Sequence, residues 1–266
     1  MRLWRRALGA ILVSRPRAAP VQAENDFQDR LVTVDGASYR YRVFVPPGWS
    51  KAVPGPVILA LHGAGGYGSD GMRQTDEGLG PAIRRHPERI QALVVFPQSP
   101  ANGTPGWQGI GGQIALAALD KTIEEWGADE TRVTLTGLSI GGNGVWYLAY
   151  HHPGRFAGLL VVCGFVAERR GTMFPILYPS LVPGAQDPSA AVAERLARIP
   201  TWMFHGDADR TVPVEHSRRM AAALRALGAP VRYTELPGVD HNAWDEAYNR
   251  PDVAAWLLQP RITEAK

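Results

Sequence analysis

The sequence predicts an α/β fold: a mostly parallel central sheet flanked by helices, with an antiparallel hairpin towards its N-terminal end. Three observations predict it. From residue 31 onward, strand-like and helix-like segments alternate. Several of the strand-like segments are unbroken apolar runs, the pattern of strands buried on both faces. Of the 266 residues, 45% are hydrophobic and 20% charged, which suits a globular enzyme. A chain of this length buries roughly three quarters of its unfolded surface and needs neither disulfide nor metal to stay folded.

The elements follow in order. Segments 31–34 and 39–45 read as a hairpin around Asp35-Gly36, a two-residue turn signal. Segment 57–61 is a continuous apolar run ending at His62-Gly63, and 92–96 is another, stopped by Pro97. Segment 113–126 reads as a helix with Ile114, Leu116, Leu119, Ile123 and Trp126 on one side. A strand at 133–136, a helix at 143–151 and strands at 158–162 and 201–205 come next. The amphipathic helix 214–227 ends at Gly228, 231–236 is the last strand, and 244–258 is the last helix. There is no internal repeat.

Two stretches break the rhythm. Residues 100–112 are glycine-rich and carry Trp107. Residues 164–200 are long, and their first half holds Phe165, Met173, Phe174, Leu177 and Tyr178 among prolines. Long loops inside compact domains are usually functional or disordered. Both stretches read as pocket walls, with 164–200 as a short cap on a single domain spanning 24–266.

Residues 1–23 hold Arg2, Arg5, Arg6, Arg15 and Arg17 and no acid, against +3 for the whole chain, so 24–266 carries −2. A pI near 9.2 therefore implies no basic face for nucleic acid. The stretch has the layout of a secretory signal: a charged start, an apolar run at 7–13 and small residues at Val21-Gln22-Ala23. A disordered extension or a misplaced start codon is the alternative reading. Localisation is secreted or periplasmic in the first case and cytoplasmic in the second. No run elsewhere reaches the ~20 apolar residues of a membrane span. The single cysteine, Cys163, follows an apolar run and reads as a buried small hydrophobe.

Gly137-Leu138-Ser139-Ile140-Gly141 fits G-x-S-x-G between a strand and a helix. Such a turn is so sharp that the residues two before and two after the serine must be small, as Gly137 and Gly141 are. The helix N-terminus that follows favours developing negative charge. Serine needs a base with a pKa near neutral. In this arrangement the chain order is serine, acid, histidine, which leaves His205, His216 and His241. His205 precedes the candidate acids, and His216, beside Arg218 and Arg219, reads as a solvated face. His241 lies in the loop after the last strand. Of the acids, Asp207 beside Gly206 reads as a turn-former and Asp209 as the partner of His241, with Asp240 a weaker alternative. The glycines of Leu61-His62-Gly63-Ala64-Gly65-Gly66 let backbone N–H groups approach a substrate oxygen, so Ala64 and Ile140 are the candidate oxyanion donors. No phosphate-binding G-x-x-x-x-G-K-[ST] is present.

Four blocks, LHGAGG (61–66), TLTGLSIGG (134–142), WMFHGDADRTVPVEHS (202–217) and YTELPGVDHNAWDEAY (233–248), resemble α/β-hydrolase esterases. These are the enzymes grouped with prolyl-oligopeptidase-like peptidases, dienelactone hydrolases, polyhydroxybutyrate depolymerases and feruloyl-esterase-like enzymes. The resemblance runs from about Tyr39 to Leu258. In that family the acid stands in D-x-x-V-P, which matches Asp209 to Pro213. The base matches His241, a recurrent tryptophan matches Trp244, and the HG of the oxyanion strand matches His62-Gly63. Prolyl oligopeptidases also carry an N-terminal propeller that sieves peptides. Only about 40 residues precede the core here, so that restriction is not expected.

The resemblance implies a carboxylic ester hydrolase acting through Ser139, Asp209 and His241 by an acyl-enzyme. His62, Trp107, Phe165, Phe174, Tyr178 and Trp244 are candidate pocket residues, suiting aromatic or medium-sized acyl groups or serving only to pack the loop. No metal or organic cofactor is expected. The expected partner is a small-molecule or polymer-derived ester, with no nucleic acid and no membrane span. A peptidase on small peptides, a polyester depolymerase and a catalytically dead binding protein are the competing readings.

Overall fold

The computed structural model describes residues 26–101, 106–170 and 177–260. The signal-like stretch 1–23, together with Met173 and Phe174, lies outside the described residues. Strands β1 (Phe27–Val34) and β2 (Ala37–Phe44) pair antiparallel along their whole length. Asp35 and Gly36 between them take φ of 49° and 78°. Two successive left-handed residues make the tight turn whose twist matches the flanking strands, and Asp-Gly is a favoured pair there.

The remaining strands are β3 (Val57–Leu61), β4 (Leu93–Pro97), β5 (Val133–Leu138) and β6 (Gly158–Val162), a short ribbon of β7 (Arg169–Arg170) and β8 (Leu177–Tyr178), then β9 (Thr201–Gly206) and β10 (Val231–Leu236). Eight of them form one sheet in the order β1-β2-β4-β3-β5-β6-β9-β10. Within this sheet, among the described residues, only the β1/β2 and β2/β4 pairings are antiparallel, as is the separate β7/β8 ribbon.

Helices cover both faces. On one side lie α2 (Ile110–Trp126), α3 (Ile140–His151), α4 (Pro188–Leu196) and α5 (Glu215–Ala226); on the other lie α1 (Leu79–Arg85), α6 (Trp244–Asn249) and α7 (Pro251–Leu257). The apolar runs divide between the two cores. Val57, Leu59 and Leu61 face the first, and Ile58 and Ala60 the second. Leu159 and Val161 oppose Leu160 and Val162 in the same way. Because successive side chains point to opposite faces, a strand covered on both must be apolar throughout. This is an α/β-hydrolase fold.

Two expectations need correction. The helix expected over 244–258 is two helices, because Pro251 cannot donate to a helix already running and holds Arg250 extended at φ −71°, ψ 128°. The stretch 164–200, expected as a cap loop, contains the β7/β8 ribbon and α4. Helix α4 starts where Asp187 accepts from Ser189 N–H at 2.9 Å and Ala190 N–H at 3.1 Å, with Pro188 in the first turn. Helix α1 was not foreseen at all.

Candidate active site

Strand β5 runs into Ser139, which adopts φ 54° and ψ −116°, and α3 begins at the next residue. A non-glycine residue in that region is strained and persists only where the surroundings hold it. Here they do. Ser139 N–H donates to Val162 C=O at 2.9 Å. A side chain at Gly137 would meet Gly141 Cα at 3.1 Å, and one at Gly141 would overlap the carbonyls of Leu61 and His62. Absent Cβ atoms thus let the serine turn wedge against the end of β3.

The structure brings Ser139, His241 and Asp209 together. Ser139 Oγ lies 2.9 Å from His241 Nε2, and His241 Nδ1 lies 2.7 Å from Asp209 Oδ2. An ionised carboxylate only accepts, so Nδ1 carries the proton and Nε2 is free to accept from the serine hydroxyl. The His241 ring stands edge-on to Trp244, with centroids 5.3 Å apart. The loop that carries His241 is pinned by Asp240, whose Oδ1 accepts the N–H of both His241 (2.8 Å) and Arg210 (3.0 Å). Asp240 also pairs with the Arg210 guanidinium. Asp207 accepts Gly238 N–H at 2.6 Å, tying the ends of β9 and β10. The three acids of this region are thereby sorted, and only Asp209 touches the imidazole.

Asp209 has a fully buried side chain and four donors. Its Oδ1 accepts the N–H of Thr211 and Val212, each at 2.8 Å; its Oδ2 accepts from His241 and, at 3.1 Å, from His205 Nε2. Burial alone would raise its carboxyl, but the hydrogen bonds from His205, His241 and Val212 hold it well below the usual carboxylate range. The role of His205 was missed in the sequence. Its Nε2 also lies 2.9 Å from Val212 C=O, which can only accept, so that nitrogen carries the proton. Its Nδ1 meets Ser217 Oγ at 2.7 Å. The only signal available was a histidine four residues before the acid at a strand end.

Cys163 is buried, as expected for a small hydrophobe, with Sγ 3.6 Å from the His241 backbone carbonyl. Cys163, Asp209 and His241 offer ligand atoms within 4.8 Å of one another. Burial pushes the thiol up, so it is held protonated, and the other two groups are already spent on each other. This donor set suits hydrogen bonding better than a metal.

The loop after β3 is braced by His62. Its Nε2 accepts Ser99 N–H at 3.0 Å while Nδ1 donates to Gly63 C=O at 2.6 Å. Burial lowers its pKa to about 4, so the ring is neutral. Trp107 donates from Nε1 to His62 C=O at 3.2 Å. Ala64 and Ile140 each begin a helical turn, so their N–H groups are not used within those turns.

The expected pocket residues fare unequally. Trp107, Phe165 and Tyr178 are fully buried in the core, and His62 is 3% exposed, so these four pack and brace rather than offer surface. Phe165 is covered by Tyr178, by the Arg169 guanidinium 4.9 Å over its ring and by His216. His216, expected on a solvated face, is half-buried there, and burial lowers its pKa to about 4. Trp244 is half-buried beside His241.

A family model described as the prolyl oligopeptidase family matches residues 114–259. A secreted protein of Arthroderma benhamiae is 26% identical over 242 residues, which are 81% of this chain and 25% of that protein. This chain therefore spans about a quarter of that relative's length. Among solved structures, a thermostable esterase superposes with a TM-score of 0.74 at 27% identity, covering 90% of this chain and 64% of the esterase. A ferulic acid esterase from Anaeromyces mucronatus superposes with a TM-score of 0.61 at 15% identity, covering 87% and 88%. The second likeness speaks to the fold alone.

Proposed function

This chain belongs to the prolyl oligopeptidase family of α/β-hydrolase enzymes, and from that premise we propose that it is a serine hydrolase of carboxylic esters. The observation that carries the reading is the unbroken line from Ser139 Oγ through His241 to Asp209, at 2.9 and 2.7 Å. His241 takes the serine proton as Oγ attacks the ester carbonyl. The N–H groups of Ile140 and Ala64 receive the oxyanion, each such donor being worth roughly 3 kcal/mol in the transition state. His241 then protonates the leaving alcohol, and water activated by the same imidazole releases the acid from the acyl-enzyme. Cys163 is a poor rival nucleophile, since its protonated thiol lies against the His241 carbonyl rather than the ring.

The catalytic unit is 24–266, with 164–200 as its cap, and the partner is a small-molecule or polymer-derived ester. Among the described residues no helix is long and apolar enough to cross a membrane. Buried Trp107, Phe165 and Tyr178 favour the reading in which the aromatics pack the cap. Short to medium acyl esters therefore come ahead of feruloyl esters. Peptide hydrolysis is the second reading, favoured by the family match.

Ser139→Ala is expected to abolish turnover of short p-nitrophenyl esters and labelling by a fluorophosphonate, with an unchanged circular dichroism spectrum. Retained turnover would refute the assignment. A panel of acyl chain lengths and feruloyl esters beside aminoacyl-p-nitroanilides separates the two readings, and preference for the anilides would favour the peptidase.

A further inference from the structure

The glycines at 63 and 65 share a neighbour. Glu77, in the segment leading into α1, accepts Gly63 N–H on Oε1 at 2.8 Å. A Cβ on Gly63 would meet Glu77 Oε1 at 2.9 Å, and one on Gly65 would meet Oε2 at 3.3 Å. The carboxylate, with Leu138 Cδ1 at 2.7 Å from the Gly63 position, thus occupies the space that two side chains would fill beside the loop that carries Ala64. It is also within electrostatic reach of His241.

We propose that Glu77 is a positioning residue of this site: it clamps the 62–65 loop through Gly63 N–H and presents a negative charge to the His241 imidazolium. The proposal rests on the serine-hydrolase reading above. Small residues at 63 and 65 admit the carboxylate, and the carboxylate fixes the direction of the Ala64 N–H between them. As His241 takes the Ser139 proton, its new charge is faced by Asp209 on one side and Glu77 on another.

The groups around Glu77 come from several elements. Asp76 adjoins it, Asp245 and Tyr248 face it from α6, His241 from the loop before α6 and Cys163 from the end of β6; His62 and Glu77 line one small cavity. Burial raises the Glu77 carboxyl, while Gly63 N–H and His241 pull it back. Asp76 and Asp245 repel it, so its charge is held there by the loop N–H and the imidazole.

Two variants separate the clamp from the charge. In Glu77→Gln the amide oxygen still accepts Gly63 N–H, but the charge is gone; Glu77→Ala removes both. On a p-nitrophenyl ester, E77A is expected to lower kcat roughly tenfold with KM within about twofold, as for a misplaced oxyanion donor. E77Q is expected to keep a kcat closer to wild type. Without the facing charge, the acid limb of kcat/KM in E77Q is expected to move to lower pH. A carboxylate that merely supported the fold would leave that limb in place. An E77Q acid limb that coincides with wild type overturns the inference, and so does a folded E77A with wild-type kcat. If E77A does not fold, the E77Q limb decides. Beside an inactive Ser139→Ala, either overturning result removes the role of Glu77 alone; an active Ser139→Ala removes the premise.

Discussion

Asp209 shows how a buried charge is made tolerable. Its carboxylate lies in a strand-end loop with no solvent contact, yet both oxygens are saturated by two backbone N–H groups and two imidazoles. Hydrogen bonds of this kind favour the ionised form enough to outweigh desolvation. Asp209→Asn replaces Oδ1 or Oδ2 with an amine that donates. Whichever way the amide turns, one set of donors loses its acceptor, and the His241 tautomer is disturbed. Loss of about 10⁴ in kcat is expected for such a change at a triad acid. Asp207→Asn keeps an oxygen to accept Gly238 N–H and should leave kcat within about twofold of wild type, since it does not touch the imidazole. Steady-state ester hydrolysis by the two variants checks both statements, and a reversed order of damage would exchange the two assignments.

The strand–turn–helix around Ser139 is an element built on absent side chains. Gly141 lies against the carbonyls of Leu61 and His62, which belong to the neighbouring strand and its loop. A methyl group there has no room unless β3 and α3 separate, and both are central to the sheet and its first core. Gly141→Ala is expected to destabilise by about 3 kcal/mol, the upper end of the usual cost of overpacking, because the added carbon meets backbone carbonyls. Urea unfolding of Gly141→Ala beside the unaltered chain measures this. A change below about 1 kcal/mol would show that the turn can relax. The divided C-terminal helix follows an equally local rule, since a proline after an extended Arg250 must start a helix rather than continue one.

For the molecule as a whole, the neutral His62 makes stability depend on mild acid. In the unfolded chain it takes up a proton near 6.5, but in the fold only near 4, because burial disfavours the charge; Nε2 is moreover already occupied by Ser99 N–H. The unfolded state therefore binds more protons throughout that interval. Stability is full above pH 6.5 and falls as pH drops towards 4, by on the order of 3 kcal/mol for a fully buried ring. His216 acts in the same direction and contributes less because it is only half-buried. Glu77, raised by burial, works the opposite way as it takes up its own proton, while His151, lowered by burial, adds to the loss, so the observed change is a net of opposing contributions. Urea midpoints at pH 7 and pH 4.5 test this: a lower midpoint at pH 4.5 is expected, and an equal or higher one would overturn the expectation.

Much of this architecture was legible before any coordinates, and for a local reason. A strand covered on both faces is apolar at every position, so Val57–Leu61 and Gly158–Val162 stood in the chain with the bounds they have in the fold, and Val231–Leu236, a half-buried edge strand of mixed polarity, keeps its expected bounds as well. The serine turn was legible because its glycines flank it within five residues. Ser139, Asp209 and His241 could be nominated from chain order, and the fold brings them within hydrogen-bond distance. Helices α1 and α4 are short, and their proline and cap signals were lost among loop residues. Glu77 beside Gly63, His205 on Asp209 and the burial of Trp107, Phe165 and Tyr178 carried no clear mark in the sequence. Periodicity and turn chemistry are written in neighbouring residues. Which carboxylate stands beside which loop depends on the order in which strands are laid side by side, and that arises only when distant segments share one core.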